Sequence, residues 1–159
     1  MPTRILVTVD PARSRVDART EDGHPIAMDG DPPDGDGSAA GPKEALLAAL
    51  AGCTAIDVAA ILRKKRQAVA TYEIEVTAES ASQHPKVFTA IAVEHRVAGD
   101  VDPEAVRRSV ELSSTRYCPV NAMLSKAVPI EHRYRLTRAD GTTIAALVSV
   151  VGPDGAHVM

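Results

Sequence analysis

Apolar positions along this chain follow two rhythms, one nearly continuous and one alternating. In LLAALAGCTAIDVAAIL, from Leu46 to Leu62, the apolar run is broken only by Gly52, Cys53, Thr54 and, one turn after the cysteine, Asp57. Ahead of it, GPKEA supplies Gly41 as a cap, Pro42 at the first helical position and Glu44 near the positive end of the helix dipole. Behind it, RKKRQ sets cations against the negative end. The pattern predicts a helix over 42–66, and Arg63 to Arg66 read as its solvated end rather than as an anion or nucleic-acid site. The run is long enough to raise the question of a membrane span. It is alanine-rich, however, and carries Asp57, so insertion would be costly for little apolar gain, and a soluble helix is the reading. A single sheet covers only one face of a helix that is apolar almost all round, so a second body must cover the rest.

Elsewhere the rhythm alternates. Upstream, RILVTV, SRVDART and HPIAMD read as three short strands, with EDGH as the hairpin turn between the last two. Downstream, Tyr72, Ile74 and Val76 share one face of a strand over 72–80, and KVFTAIAVEHRV gives its expected partner over 86–97. Asp102 followed by Pro103 opens a second helix over 102–117, CPVNAMLSKA restarts as a short third, and IEHRYRLTR is a further strand. TIAALVSVV in the tail offers one more. The order βββ-α-ββ-α-α-β predicts an α+β domain rather than a doubly wound one.

Composition narrows the function classes. The 159 residues are 45% hydrophobic and 25% charged, which suits one domain with a real core. A net charge of −3 with three tyrosines, one phenylalanine and no tryptophan leaves no case for a nucleic-acid binder. MPTRILVTVD lacks an apolar stretch of secretory length, so no signal peptide is read and a reducing cytoplasm is expected. No cofactor or metal is expected: the two cysteines form no CxxC pair, and the five histidines have no zinc spacing. The acidic, Gly/Pro-rich loop over 29–41 has Pro33 and Ala40 where an EF-hand needs oxygen ligands, and reads as a solvated loop.

The thiols Cys53 and Cys118 then need an account. Free cysteines are often small buried hydrophobes. If one is reactive, its thiolate must be favoured. Cys118 precedes Pro119 at a helix start, where backbone N–H groups favour the anion, so local mechanics makes it the more acidic thiol. Cys53, in mid-helix, needs an external cation. Asp57 shares its face four residues on and would raise its pKa, so Asp57 is expected to be hydrogen-bonded or ion-paired, with a basic group of a partner subunit as one option. Thr54 is expected to bond back to its own helix. His84, His95 and His132 read as strand-face or loop residues rather than ligands.

GPKEALLAALAGCTAIDVAAILRKKRQ, HPKVFTAIAVEHRV and YCPVNAMLSKAVPIEHRYRL together resemble the OsmC/Ohr family (osmotically inducible protein C and organic hydroperoxide resistance proteins), most closely its OsmC-like, YhfA-type branch. The likeness runs over about residues 4–136, giving a single domain over 1–136 and leaving 137–159 as an extension of unassigned role. It implies an OsmC/Ohr-like fold in which antiparallel sheets wrap round long central helices in an intertwined homodimer. It also implies thiol-dependent reduction of organic hydroperoxides in oxidative-stress defence, with an external dithiol reductant of the lipoyl class. By the same resemblance Cys53 is the peroxidatic cysteine and Cys118 the resolving one, and Arg15 steadies the thiolate, with Arg13 in reserve. The family's catalytic glutamate follows the helix-start proline, where Lys43 stands here. The assignment passes to Glu44, one residue on, which turns the carboxylate by about 100° on an ideal helix. The alternative function is a small-molecule or lipid-like binding dimer without efficient peroxidase turnover.

Overall fold

The computed structural model describes residues 2–159 and divides the chain into two compact units, the first ending at Ala48 and the second spanning Ala49–Met159. In the first unit, strands β1 (Ile5–Asp10), β2 (Arg15–Thr20) and β3 (Pro25–Met28) form an antiparallel sheet in that order. The predicted turn before β3 is made at Gly23, whose φ of 87° suits a residue without a Cβ. Ala18 is buried, while Ile5, Leu6, Val7 and Val9 of β1 are all exposed, so both faces of that strand present apolar side chains. The acidic loop is largely exposed, as a solvated segment should be, and is anchored at Asp29. Asp29 is buried, and its carboxylate accepts hydrogen bonds from the Gly30 and Ser38 backbone N–H groups and from the Ser38 hydroxyl.

Helix α1 (Pro42–Lys64) begins as its sequence dictates. Gly41 O accepts the first helical bond from Ala45, and the Glu44 carboxylate reaches back to accept from Gly41 N–H at 2.9 Å, one half of a capping box. It ends two residues short of expectation because Arg66 adopts a left-handed φ of 55° and turns the chain into the next strand; Arg63 to Arg66 are exposed, as a solvated end should be. Leu50, Thr54, Val58 and Leu62 form its buried stripe at four-residue spacing, and Ile56 is 73% exposed.

The second unit is built on a five-stranded sheet in chain order: β4 (Ala68–Ser80), β5 (Phe88–Asp100), β6 (Ile130–Thr137), β7 (Thr143–Gly152) and β8 (Gly155–Val158). Strand β4 starts at Ala68 rather than at Tyr72. Its register slips against β5 between Val69 and Thr71, opposite Gly99, where a Cβ would lie 2.3 Å from Ala68 O. Neighbouring strands are antiparallel except β5 and β6, which run parallel in the register Ile91↔Ile130. A parallel pair needs a long crossover. Here it is α2 (Pro103–Leu112), a π-helical segment (Ser113–Tyr117) and α3 (Pro119–Leu124). Asp102 caps α2 by accepting from Glu104 N–H, as its sequence predicts. The second helix does not stay α-helical to Tyr117. The Ser114 and Thr115 hydroxyls both donate to Glu111 O, and Cys118 N–H bonds Ser113 O five residues back, so the last turn widens. The tail supplies β7 and β8 of the sheet.

One sheet face carries Val97, Tyr134, Leu136 and Val148 against Val58 and Leu62 of α1 and Val106 and Val110 of α2, and this is the core. The other face carries Glu75, Glu94, Arg96, Glu131, Arg133 and Arg135 in surface ion pairs, each worth little individually.

Candidate thiol site

The polar residues inside the apolar helix have partners. Thr54 and Asp57 face the π-helical segment, where the Ser113 hydroxyl lies 2.9 Å from Thr54 Oγ1 and donates to Asp57 Oδ2 at 3.0 Å. Ser113 has one proton and gives it to the carboxylate, so Thr54 is the donor in the other contact. Thr54 thus reaches across to a neighbouring element, where a bond back to its own helix was expected. Asp57 is hydrogen-bonded as expected, and to a serine of its own chain. By length and apolar composition α1 could cross a bilayer, but a bilayer would offer these two groups no such partner.

This clasp sets the segment that leads into Cys118 beside α1. Cys118 is the N-cap of α3, 2% exposed, and its sulfur accepts from Asn121 N–H at 3.3 Å; Cys53, half-buried on α1, is within hydrogen-bonding reach of it. Local sequence mechanics makes Cys118 the more acidic thiol, and the structure corrects that. Burial, above all, pushes the Cys118 thiol well above its ordinary range; the hydrogen bond with Cys53 pushes the same way, with smaller contributions from the charges of Cys53 and Asp57. The Asn121 N–H works against them and loses. A helix end favours a thiolate only where the sulfur keeps some access to solvent.

The other two expected site residues lie in the first unit, each with local partners. Arg15 donates through Nη1 to Ser38 Oγ at 2.5 Å and pairs with Asp17 at 3.2 Å, Arg13 pairs with Asp36, and Glu44 caps α1. The two cysteines are brought together within the second unit.

The OsmC-like protein family model matches residues 35–133, the larger part of the chain and the part that holds both cysteines. The chain belongs to this family. Protein YhfA of Escherichia coli K12 is 44% identical to it over 118 residues, covering 74% of this chain and 86% of that protein. Among solved structures, an OsmC-like protein from Mycoplasma pneumoniae superposes with a TM-score of 0.73 at 18% identity, over 86% of this chain and 97% of that one. The organic hydroperoxide resistance protein OhrB of Bacillus subtilis gives 0.57 at 16% identity, over 84% and 98%. The α+β architecture is therefore that of the OsmC/Ohr fold, as the sequence motifs implied. Membership supports a redox or stress role.

Sequence reasoning missed one feature of this OsmC-like chain. His95 and His132 are fully buried and stack at 5.8 Å between ring centroids. His95 Nδ1 bonds the Tyr72 hydroxyl at 2.7 Å, and His132 Nε2 bonds Asn121 Oδ1 at 2.8 Å. The signal was present. His95 falls in phase with Ile91, Val93 and Val97, and His132 with Ile130, Tyr134 and Leu136, all inward positions of their strands. Burial lowers the pKa of His95 to about 3 and of His132 to about 4, so both rings are neutral in the folded protein. Each therefore contributes stability that is present above the unfolded-state pKa of about 6.5 and is lost as the pH falls through the interval down to the folded values. The unfolding free energy from urea titrations should drop between pH 7.5 and pH 5, by about 2 kcal/mol per histidine at the lower limit, before most carboxylates titrate; a flat profile over that interval would contradict neutral burial.

Proposed function

We propose that the protein is a homodimeric thiol peroxidase that reduces organic hydroperoxides in oxidative-stress defence. The observation that carries this reading is the juxtaposition of Cys53 and Cys118, from two different elements and within hydrogen-bonding reach, in a chain of the OsmC-like family. In the first step the Cys53 thiolate attacks the O–O bond. One oxygen stays on sulfur as a sulfenic acid and the other leaves as an alcohol after taking a proton. In the second, the Cys118 sulfur displaces hydroxide from the sulfenic sulfur. The thiol proton joins the hydroxide as water, and a Cys53–Cys118 disulfide remains. An external dithiol of the lipoyl class returns the pair to thiols by exchange. The family resemblance alone offers Arg15 as the thiolate-steadying cation of this reaction, and Glu44 fixes the start of the helix that carries Cys53.

The division of labour follows from access. Cys53 is half-buried and open to a substrate, whereas Cys118 is enclosed and held protonated until a partner sulfur is oxidised. Titration with cumene hydroperoxide, followed by thiol counting in denaturant, should take the reduced protein from two thiols per chain to none at about one equivalent. A count that stays at two would discard the peroxidase and leave the small-molecule binding dimer.

A further inference from the structure

The structure assigns His132 as a positioning residue for the resolving thiol Cys118, acting through Asn121; this rests on the peroxidase reading above. Asn121 holds both ends of the connection. Its backbone N–H donates to Cys118 Sγ, its side-chain Nδ2 donates to Ser114 O at 2.6 Å, and its Oδ1 accepts from His132 Nε2 at 2.8 Å. The amide can face only one way, because Ser114 O requires the nitrogen. The atom turned to His132 is therefore an oxygen, and His132 must carry its proton on Nε2. Its Nδ1 is then a bare acceptor, buried and without a hydrogen-bond partner.

That orphan nitrogen fixes the behaviour of the ring. A second proton would place a buried N–H, with a positive charge, where nothing accepts it. Shifting the single proton to Nδ1 would set Nε2 and Oδ1 lone pair to lone pair. His132 thus stays neutral and in one tautomer, a permanent donor to Asn121. Behind it stand His95, stacked on its face, and Tyr72, bonded to His95, which prevent the ring from turning. A leucine would fill this core position at less cost in unpaired polar atoms. What the histidine adds is a strut that reaches the sulfur through Asn121.

The strut matters in the second chemical step. Cys118 is disfavoured as a thiolate by burial, and the Asn121 N–H is the contact that opposes this. Aiming that N–H at the sulfur lowers the barrier to losing the proton while the S–S bond forms. Without the His132 donor the Asn121 side chain loses one of its two anchors, and the first turn of α3 loses its fixed orientation.

The lifetime of the Cys53 sulfenic acid, followed by rapid mixing of the full-length protein with one equivalent of cumene hydroperoxide, tests this. His132→Phe keeps a ring of similar size without the donor and should lengthen that lifetime about tenfold, the scale of one lost hydrogen bond. His132→Gln, which restores an N–H near the same place, should recover most of the rate. Resolution at the wild-type rate in His132→Phe, beside a wild type that does cycle, overturns this inference alone. A wild type that forms no disulfide overturns the peroxidase reading as well. Should the variants fold poorly, nitrogen NMR of the wild-type His132 ring decides. The Nε2–H tautomer, with ring resonances that move between the dithiol and disulfide forms, supports the strut; the other tautomer, or resonances indifferent to the redox state, overturns it.

Discussion

Cys53→Ser should abolish hydroperoxide turnover completely, whereas Cys118→Ser should permit a single turnover and then stop. The asymmetry follows from where the sulfurs sit. A serine hydroxyl is neither acidic enough nor nucleophilic enough to cleave an O–O bond, so removing the attacking sulfur leaves no residual route. Cys118 cannot substitute for it: the thiol is 2% exposed and its pKa is raised by burial, so it offers almost no thiolate and little access. With Cys118 replaced, Cys53 still reacts once, releases one equivalent of alcohol and remains as sulfenic acid, open to a dimedone-type trap or to further oxidation. Mass spectrometry after limiting peroxide reads the outcome residue by residue. Label on Cys118 of the wild type would reverse the roles of the two thiols.

Sedimentation at micromolar concentration should show a dimer with no folded monomer beside it. In the first unit, β1 exposes Ile5, Leu6, Val7 and Val9 at 46% to 64%, on both faces of one strand; in the second, Ile56 is 73% and Met123 64% exposed. A chain that shows so much aliphatic surface from each unit is expected to bury it against a copy of itself, with the large apolar interface typical of obligate dimers. Stability would then depend on protein concentration. Ile56→Glu should shift the population to an unfolded or aggregated chain rather than to a tidy monomer. A stable monomer in either protein would remove the intertwined assembly while leaving the chain fold intact.

How much of this could be read from residues alone depended on whether the cause was local. The start of α1 was legible because Gly41, Pro42 and Glu44 act within one turn, and the strands because alternation needs no knowledge of the partner strand. The π-helical segment was not, since Ser113, Ser114 and Thr115 disturb the helix only when one hydroxyl is claimed by Asp57, 56 positions away, and two turn back on Glu111. The pairing of Cys53 with Cys118 was reached through family motifs rather than spacing. The acidity of Cys118 is hidden from its sequence for a related reason. A cap is visible in sequence, but the enclosure that overrides it is made by distant chain. His95 and His132 stood in the apolar phase of their strands throughout, and a histidine in that phase is a buried histidine.

The clasp between α1 and the π-helical segment also bears on which reductants can serve. Cys53 and Cys118 lie about 65 residues apart in sequence, and tying such a loop closed removes chain entropy worth about 4 kcal/mol from the unfolded state. By linkage, whatever the disulfide contributes to the fold, the fold returns to the disulfide. In the proposed cycle, the folded protein would therefore hold a Cys53–Cys118 disulfide at a potential about 90 mV more negative than the same pair in an unfolded chain. Glutathione-like monothiols are poorly matched to such a bond, and a dithiol that closes its own ring on oxidation is well matched. Thr54, Ser113 and Asp57, which hold the segment leading into Cys118 beside α1, would thereby bear on the electron donor that the proposed cycle can use.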